Sequence, residues 1–474
     1  MRINSKYFGM RIVLSASAIA LSLISTKPAS AETLADALVG AYTNSGLLIQ
    51  NRALLRAADE DVATAVSTLK PVLRWSASLT QSYGRARTTT NPNPIDTDDL
   101  TAAINLAADL VLYDFGARQF RVEAAKETVL ATREALLDLE QQILLRAVSA
   151  YMGVIEASEF VALRQNNVRL LTQEQRAATD RFEVGEVTRT DVALAQAQLA
   201  QARSGLAAAQ GDLVAAIEEY RNIVGRKPGR LVTPRSLPTT DASVEAAKSI
   251  AVRRHPSILG AQRQVAAADL LVRATEADMK PSVSLTGRIG LSEGLSESEY
   301  SRNGSIGIEA GQTIYQGGAL SALARQAKAR ADAQRGNLHV VRLNVQQDVG
   351  NAYATLNTVR AQLAASERQI RAAQIAFNGI REEASLGART TLDVLDAEQS
   401  LLDARSLQVS ARAALYVAAY RILASTGRLT AKDLQLPVQI YDPAAYYNLV
   451  KDSPAKKSKQ GKDLDRVLRA LQKD

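Results

Sequence analysis

The sequence predicts a mainly α-helical chain with a small β part, built as two tandem copies of one unit. Three observations carry this reading. Shifted by 202 residues, the chain aligns with itself without a gap: Asp191-Val192 recurs as Asp393-Val394, Ala202-Arg203 as Ala404-Arg405, and Gly225-Arg226 as Gly427-Arg428. Further back, Tyr113, Gly116, Tyr151 and Gly185 answer to Tyr315, Gly318, Tyr353 and Gly387. A unit of this size is far longer than a solenoid repeat, so the chain consists of two similar halves. Aromatic residues make up only 4% of the chain, the profile of long helices rather than a thick core. Finally, residues 116–183 and 318–383 contain no proline, and at 1.5 Å per residue each stretch forms a helix of roughly 100 Å.

In chain order, residues 1–31 come first and read as a secretory signal peptide. Arg2, Lys6 and Arg11 precede an apolar run over 12–24, and Ala29-Ser30-Ala31 supplies the small residues of a cleavage site, so a mature chain starting at Glu32 is expected. The apolar run is too short to span a bilayer, which takes about 20 residues, and no later stretch is long and apolar enough. An exported chain of this kind is soluble, surface-bound or inserted as a β-barrel, because only helices and closed barrels satisfy their backbone in lipid.

The first repeat is placed at 32–230 and the second at 242–430, joined by a linker at 231–241 and followed by an extension at 431–474. Each repeat begins with a short helical region and then a strand pair. After Lys70-Pro71, Leu73, Trp75, Ala77, Leu79 and Tyr83 alternate with polar residues, and Ile104, Leu106, Ala108, Leu110 and Leu112 return. After Lys280-Pro281 the same alternation runs through Val283, Leu285, Ile289 and Leu291, then Ile306 and Ile308. This predicts strands at about 72–84, 101–113, 282–292 and 304–315, with loops at 85–100 and 293–302. Period two over ten residues fits a membrane barrel strand and equally a soluble hairpin packed on a core. Four strands cannot close a barrel, since about eight is the usual minimum, so a conduit needs several chains.

Pro71, Gly116, Pro281 and Gly318 mark the strand-helix junctions of long helical segments at 116–224 and 318–425. Within them Val192, Ala195, Leu199, Ala202, Leu206, Ala209, Leu213, Ala216 and Tyr220 keep a strict heptad. The series from Val394 to Ile422 keeps the same register. Such a repeat makes a coiled-coil seam, and small Ala positions let helices approach closely. Gly185 and Gly387 permit the left-handed turn at the end of each long helix, and Thr190 before Asp191 starts the next one. Helix capping does not account for Asp393 and Asp396 together; they lie three residues apart on one helical face.

Composition excludes several classes. With no Cys and only His255 and His339 there is no thiolate nucleophile, no Cys-rich metal cage and no disulfide framework, so neither enzyme, cofactor nor metal site is expected. The positive net charge comes from the ends: outside residues 1–31 and 451–474 the body holds 45 basic and 45 acidic residues. That is a solvated helical surface and no nucleic-acid-binding face. In the extension, 453–462 reads as polar, basic and disordered, with a short helix beyond.

The order of these pieces, with Leu112-Tyr113-Asp114-Phe115-Gly116 at the first junction, Thr190-Asp191-Val192 and Leu386-Gly387-Ala388-Arg389-Thr390-Thr391-Leu392-Asp393-Val394-Leu395-Asp396-Ala397, resembles the TolC family of outer-membrane efflux and type I secretion channels. The resemblance covers nearly the whole mature chain to about Leu434. It implies a homotrimer whose outer-membrane β-barrel, four strands per chain, continues as a long periplasmic α-helical barrel of coiled-coil helices. It also implies a passive duct that docks onto a periplasmic adaptor and an inner-membrane transporter of ABC or RND type. The runner-up reading is a soluble periplasmic coiled-coil adaptor or scaffold.

By the same resemblance, Asp393 and Asp396 line the periplasmic constriction as rings of carboxylates, which favour cations. Thr190, Asp191 and Arg389 form a latch between neighbouring tips. One position departs from the family pattern: the prototype has Tyr in this latch where the chain has Ala384.

Overall fold

The computed structural model describes residues 32–87, 89–90, 93–241, 243–295 and 299–471. The signal-peptide reading of residues 1–31 lies outside the described residues. The first unit runs α1 (Leu34–Asn44), α2 (Gly46–Ser67), β1 (Val72–Ala86), β2 (Ile95–Tyr113), α3 (Ala117–Glu183) and α4 (Arg189–Val224). The second repeats the order as α5 (Val244–Arg254), α6 (Pro256–Ala277), β3 (Ser282–Gly294), β4 (Tyr300–Gly311), α7 (Ala319–Ser385) and α8 (Thr391–Ser425). Two short helices follow, α9 (Pro443–Val450) and α10 (Lys459–Leu471).

The strands form one antiparallel sheet in the order β1-β2-β3-β4. Its register aligns the apolar alternation of all four. Trp75 pairs with Leu106 and Leu106 with Ile289; Ala77 pairs with Ile104 and Ile104 with Leu291; Leu73 reaches Ile306 through Ala108 and Gly287. The other face carries Arg74, Arg288 and Ser305 in one row, and Ser76, Asn105 and Asn303 in the next. Among the described residues no helix covers the apolar face: Trp75 is 74% exposed and Ile306 81%.

β1, β2 and β3 are longer than the alternation predicts, and β4 is shifted. β2 starts at Ile95 rather than 101, because its polar start stays in the ladder through cross-strand partners: Arg85 Nε lies 3.3 Å from Asp96 Oδ1, and Gln81 donates to Asp98. β4 occupies Tyr300–Gly311 rather than 304–315, so Ile314 and Tyr315 fall beyond it. The connections accordingly contract from 85–100 and 293–302 to 87–94 and 295–299.

Helices α3 and α7, 67 residues each, run from the sheet to the far tips. Near the sheet they pack with α2 and α6; beyond mid-length they pack with α4 and α8, so four helices stand at each level. The predicted heptad seam is buried or half-buried throughout, with Ala195, Leu199, Ala202 and Ala209 on α4 and Val394, Leu401, Ala404 and Ala411 on α8 inside. At mid-length α1 packs against the end of α4, where Asn44 Nδ2 donates to Val224 O at 2.9 Å.

The largest core lies at that level, around Leu144, Tyr151, Tyr220, Val224 and Leu429, with a second cluster around Val349, Leu356 and Ile422. Equivalent residues of the two repeats hold the two ends of the linker. Tyr151 OH donates to Val232 O at 2.7 Å and Arg226 Nη2 lies 2.7 Å from Glu32 Oε1. In the second half Tyr353 OH donates to Asp241 O at 2.9 Å and Arg428 Nη1 lies 3.1 Å from Asp241 Oδ2. In the extension α10 begins at Lys459, within the stretch read as polar and basic, and Tyr446 OH of α9 donates to Glu60 Oε1 of α2 at 2.6 Å.

Candidate functional site: the hairpin tips

Each tip is a five-residue reversal between two coiled-coil helices. Gly185 (φ 81°) and Gly387 (φ 76°) take the left-handed conformation that ends α3 and α7, and the following amides reach back, Glu186 N to Arg181 O and Ala388 N to Glu383 O, both at 2.9 Å. The next helix then starts on a threonine. Sequence reasoning put that role on Thr190, but the cap is Thr188, the residue equivalent to Thr390 in the second half. Thr190 already lies inside α4, in its first turn.

Both caps are reciprocal boxes. Asp191 N donates to Thr188 Oγ1 at 3.3 Å, while Asp191 Oδ2 accepts from the Thr188 hydroxyl (2.6 Å) and amide (2.9 Å). Asp393 does the same with Thr390, at 3.2 Å for its own amide and 2.9 Å for both returning bonds. Thr188's hydroxyl and amide hold the Asp191 carboxyl below its ordinary range. The Thr390 amide and hydroxyl, with the nearby Arg389 charge, do so for Asp393. Both are ionised at neutral pH. Asp393 is therefore a capping residue and a negative charge at once, and Asp396, one turn on, is exposed.

Within the chain the structure does not bring Asp191 and Arg389 together. Arg389 Nε instead pairs with Glu383 Oε2 of its own hairpin at 2.8 Å. Ala384, where the family prototype has Tyr, is buried with Phe377, Val394 and Leu401 in an apolar seam. Two polar links that sequence reasoning missed join the hairpins nearby. Arg381 Nε of α7 lies 3.2 Å from Glu174 Oε1 of α3, and Asn167 Nδ2 of α3 donates to Glu398 Oε1 of α8. Glu398 is buried, lines a 390 Å³ cavity with Asn167, Gln374 and Arg405, and its Oε2 has no partner among the described residues. Burial pushes its carboxyl up to about 7. The only sequence signal for Glu398 was its place on the buried side of α8, next to the Ala397 seam position.

At the opposite end, the junction residues do what their chemistry suggested. Gly116 (φ 84°) and Gly318 (φ 83°) are left-handed N-caps of α3 and α7, and Phe115 (φ 54°) adopts the conformation that Gly317 (φ 55°) takes in the second half. Asp114 secures the first junction: its Oδ1 accepts from Gly116 N at 3.1 Å and its Oδ2 from Arg118 Nε at 2.8 Å. The second junction has Gln316 at the equivalent position. Pro71 and Pro281 each stand immediately before a strand, where a missing amide costs no ladder bond.

An uncovered, membrane-like sheet face continued by a roughly 100 Å stack of coiled coils defines the class: a subunit of an outer-membrane channel with a helical tunnel in the periplasm. The chain belongs to the outer membrane efflux protein family, whose model matches residues 39–226 and 248–428, one stretch per repeat. It is 36% identical over 443 residues to the outer membrane efflux protein BepC of Brucella suis biovar 1 (strain 1330), covering 93% of this chain and 95% of BepC. It is 25% identical over 400 residues to the outer membrane protein TolC of Escherichia coli (strain K12), covering 80% of this chain and 78% of TolC. Among solved structures, the outer-membrane channel OprN superposes with a TM-score of 0.72 at 24% identity, over 83% of this chain and 89% of that one. The protein is an exit duct of the outer membrane, and the soluble-scaffold reading falls away.

Proposed function

We propose that three copies assemble into the working duct. The observation that carries this reading is the sheet itself: its apolar face is continuous across all four strands while β1 and β4 leave two open edges. Unpaired edges are costly in lipid, and four strands are too few to close on themselves. Joining β4 of one chain to β1 of the next three times gives a barrel of twelve strands, and the four helices at each level give a tunnel of twelve. The duct passively conducts drugs or exported proteins, delivered by an inner-membrane transporter of ABC or RND type through a periplasmic adaptor that engages the tips.

The tips form the gate in this reading. Threefold repetition turns Asp393 and Asp396 into two rings of carboxylates at the narrowest point, attracting cations. Arg389, held beside Glu383 within its own hairpin, exchanges that partner for Asp191 of the neighbouring chain when the tips close. An adaptor that binds the open arrangement more tightly shifts the balance toward it.

The chain lacks cysteine, so single engineered cysteines test this topology cleanly. A membrane-impermeant maleimide should label Arg87→Cys, in the β1–β2 connection, from outside intact cells and leave Glu186→Cys unlabelled until the outer membrane is permeabilised. The reverse pattern would contradict the proposed orientation.

A further inference from the structure

The C-terminal extension climbs α2 toward the membrane. From the mid-length core it passes Tyr441, whose ring lies under Arg52 of α2, then Tyr446, bonded to Glu60. It reaches Lys70, which donates to Asp452 O and, at 2.9 Å, to Ser453 O. Lys70 is two residues before β1 begins. α10 then turns back and seats Leu464 on Ala63 and Val450, with Leu468 beside them. Ala63 lies about one helical turn from the end of α2, so α10 sits just beneath the strands.

Its charge is organised. Lys459, Lys462, Arg466 and Arg469, at spacings of three, four and three, fall on the helix face opposite Leu464 and Leu468. All four are exposed, and among the described residues only Arg466 has a carboxylate partner, Asp463 at 3.2 Å. Lys451, Lys456 and Lys457 in the approach are exposed as well, so the described residues from 451 onward hold seven basic and three acidic groups. The body of the protein is otherwise neutral. Tertiary packing already covers the apolar side of α10, so the basic side is left for an external partner.

We propose that α10 and its approach form a basic collar, one segment per chain, that binds anionic phospholipid headgroups of the inner leaflet of the outer membrane. This rests on the membrane placement of the sheet. Polybasic segments within a Debye length of an anionic bilayer are attracted to it, and a helix with one packed apolar face and one basic face suits that surface. The collar fixes the height and tilt of the tunnel relative to the bilayer.

The test compares the full-length protein with the variant Lys459→Gln, Lys462→Gln, Arg466→Gln, Arg469→Gln in phosphatidylcholine nanodiscs doped with phosphatidylglycerol. Native mass spectrometry counts the lipids each retains. The expected result is a severalfold loss of retained phosphatidylglycerol with phosphatidylcholine retention unchanged, and the same selective loss from the unmodified protein as salt is raised. Equal phosphatidylglycerol retention by both proteins, or insensitivity to salt, overturns the proposal. So does unchanged lipid retention accompanied by lost co-sedimentation with isolated peptidoglycan sacculi, which would assign the collar to the wall polymer. Recovery of the unmodified chain in the soluble periplasm would refute the membrane placement itself, and the collar with it.

Discussion

Glu398 and Asn167 meet across the seam between α8 and α3, where the Asn167 amide donates to one carboxylate oxygen and the other has no partner among the described residues. Burial, with the Glu174 charge of α3 acting in the same direction, outweighs the Asn167 hydrogen bond and the Arg381 charge of α7 and holds the carboxyl at about 7, against an ordinary 4.5. An acid raised in this way binds more protons in the folded state than in the unfolded one, so its contribution to stability falls as pH rises from 4.5 through 7. Glu398→Gln should therefore raise the stability of the assembled protein at pH 8, by roughly 1–3 kcal/mol per chain, and change little at pH 4.5. Thermal unfolding at both pH values checks it; an equal shift at the two would contradict the burial argument.

The two capping boxes predict a local weakness. Removing the hydroxyl in Thr188→Ala or Thr390→Ala leaves first-turn amides without a partner and should cost about 1 kcal/mol each. Hydrogen exchange should quicken at the start of α4 or α8 and not at the mid-length core. Thr190→Ala, at the residue first assigned this role, should leave exchange there nearly unchanged.

The double duty of Asp393 separates charge from structure. Asp396→Asn removes an exposed carboxylate that makes no cap, so in planar bilayers it should lower cation selectivity and weaken block by multivalent cations with folding intact. Asp393→Asn should do the same and also loosen the tip. Unchanged selectivity in both variants would mean that these carboxylates serve the helix start alone.

For the latch, Arg389 is the shared residue. If it alternates between Glu383 of its own hairpin and Asp191 of the neighbour, Arg389→Ser should raise single-channel conductance, and adding Asp191→Ala should raise it little further. Glu383→Gln should act oppositely, freeing Arg389 for the neighbour and lowering conductance. Additive effects of Arg389→Ser and Asp191→Ala would remove the latch while leaving the channel reading in place.

How much of this was legible in the sequence depended on whether periodicity or long-range contact set the feature. The duplication, the heptads and the left-handed glycines are local or periodic, and Gly185, Gly387, Gly116 and Gly318 could be read directly. Strand ends were misjudged because Asp96 and Asp98 look like loop residues until their partners Arg85 and Gln81 are known. Thr188 was missed because a cap is defined by its bond to the third residue on, and Thr190 stood closer to Asp191. Glu174, Arg381 and Glu398 were illegible for a stronger reason: their partners lie on other helices, hundreds of residues away in both pairings.

The central claim, that three chains build one conducting duct, is tested most directly by recording from protein extracted from outer membranes and purified as a particle of known mass. The expected result is a trimer that inserts into planar lipid bilayers and gives discrete conductance steps, enlarged by Arg389→Ser. A folded monomer, or a trimer that produces no conductance in either form, would contradict it.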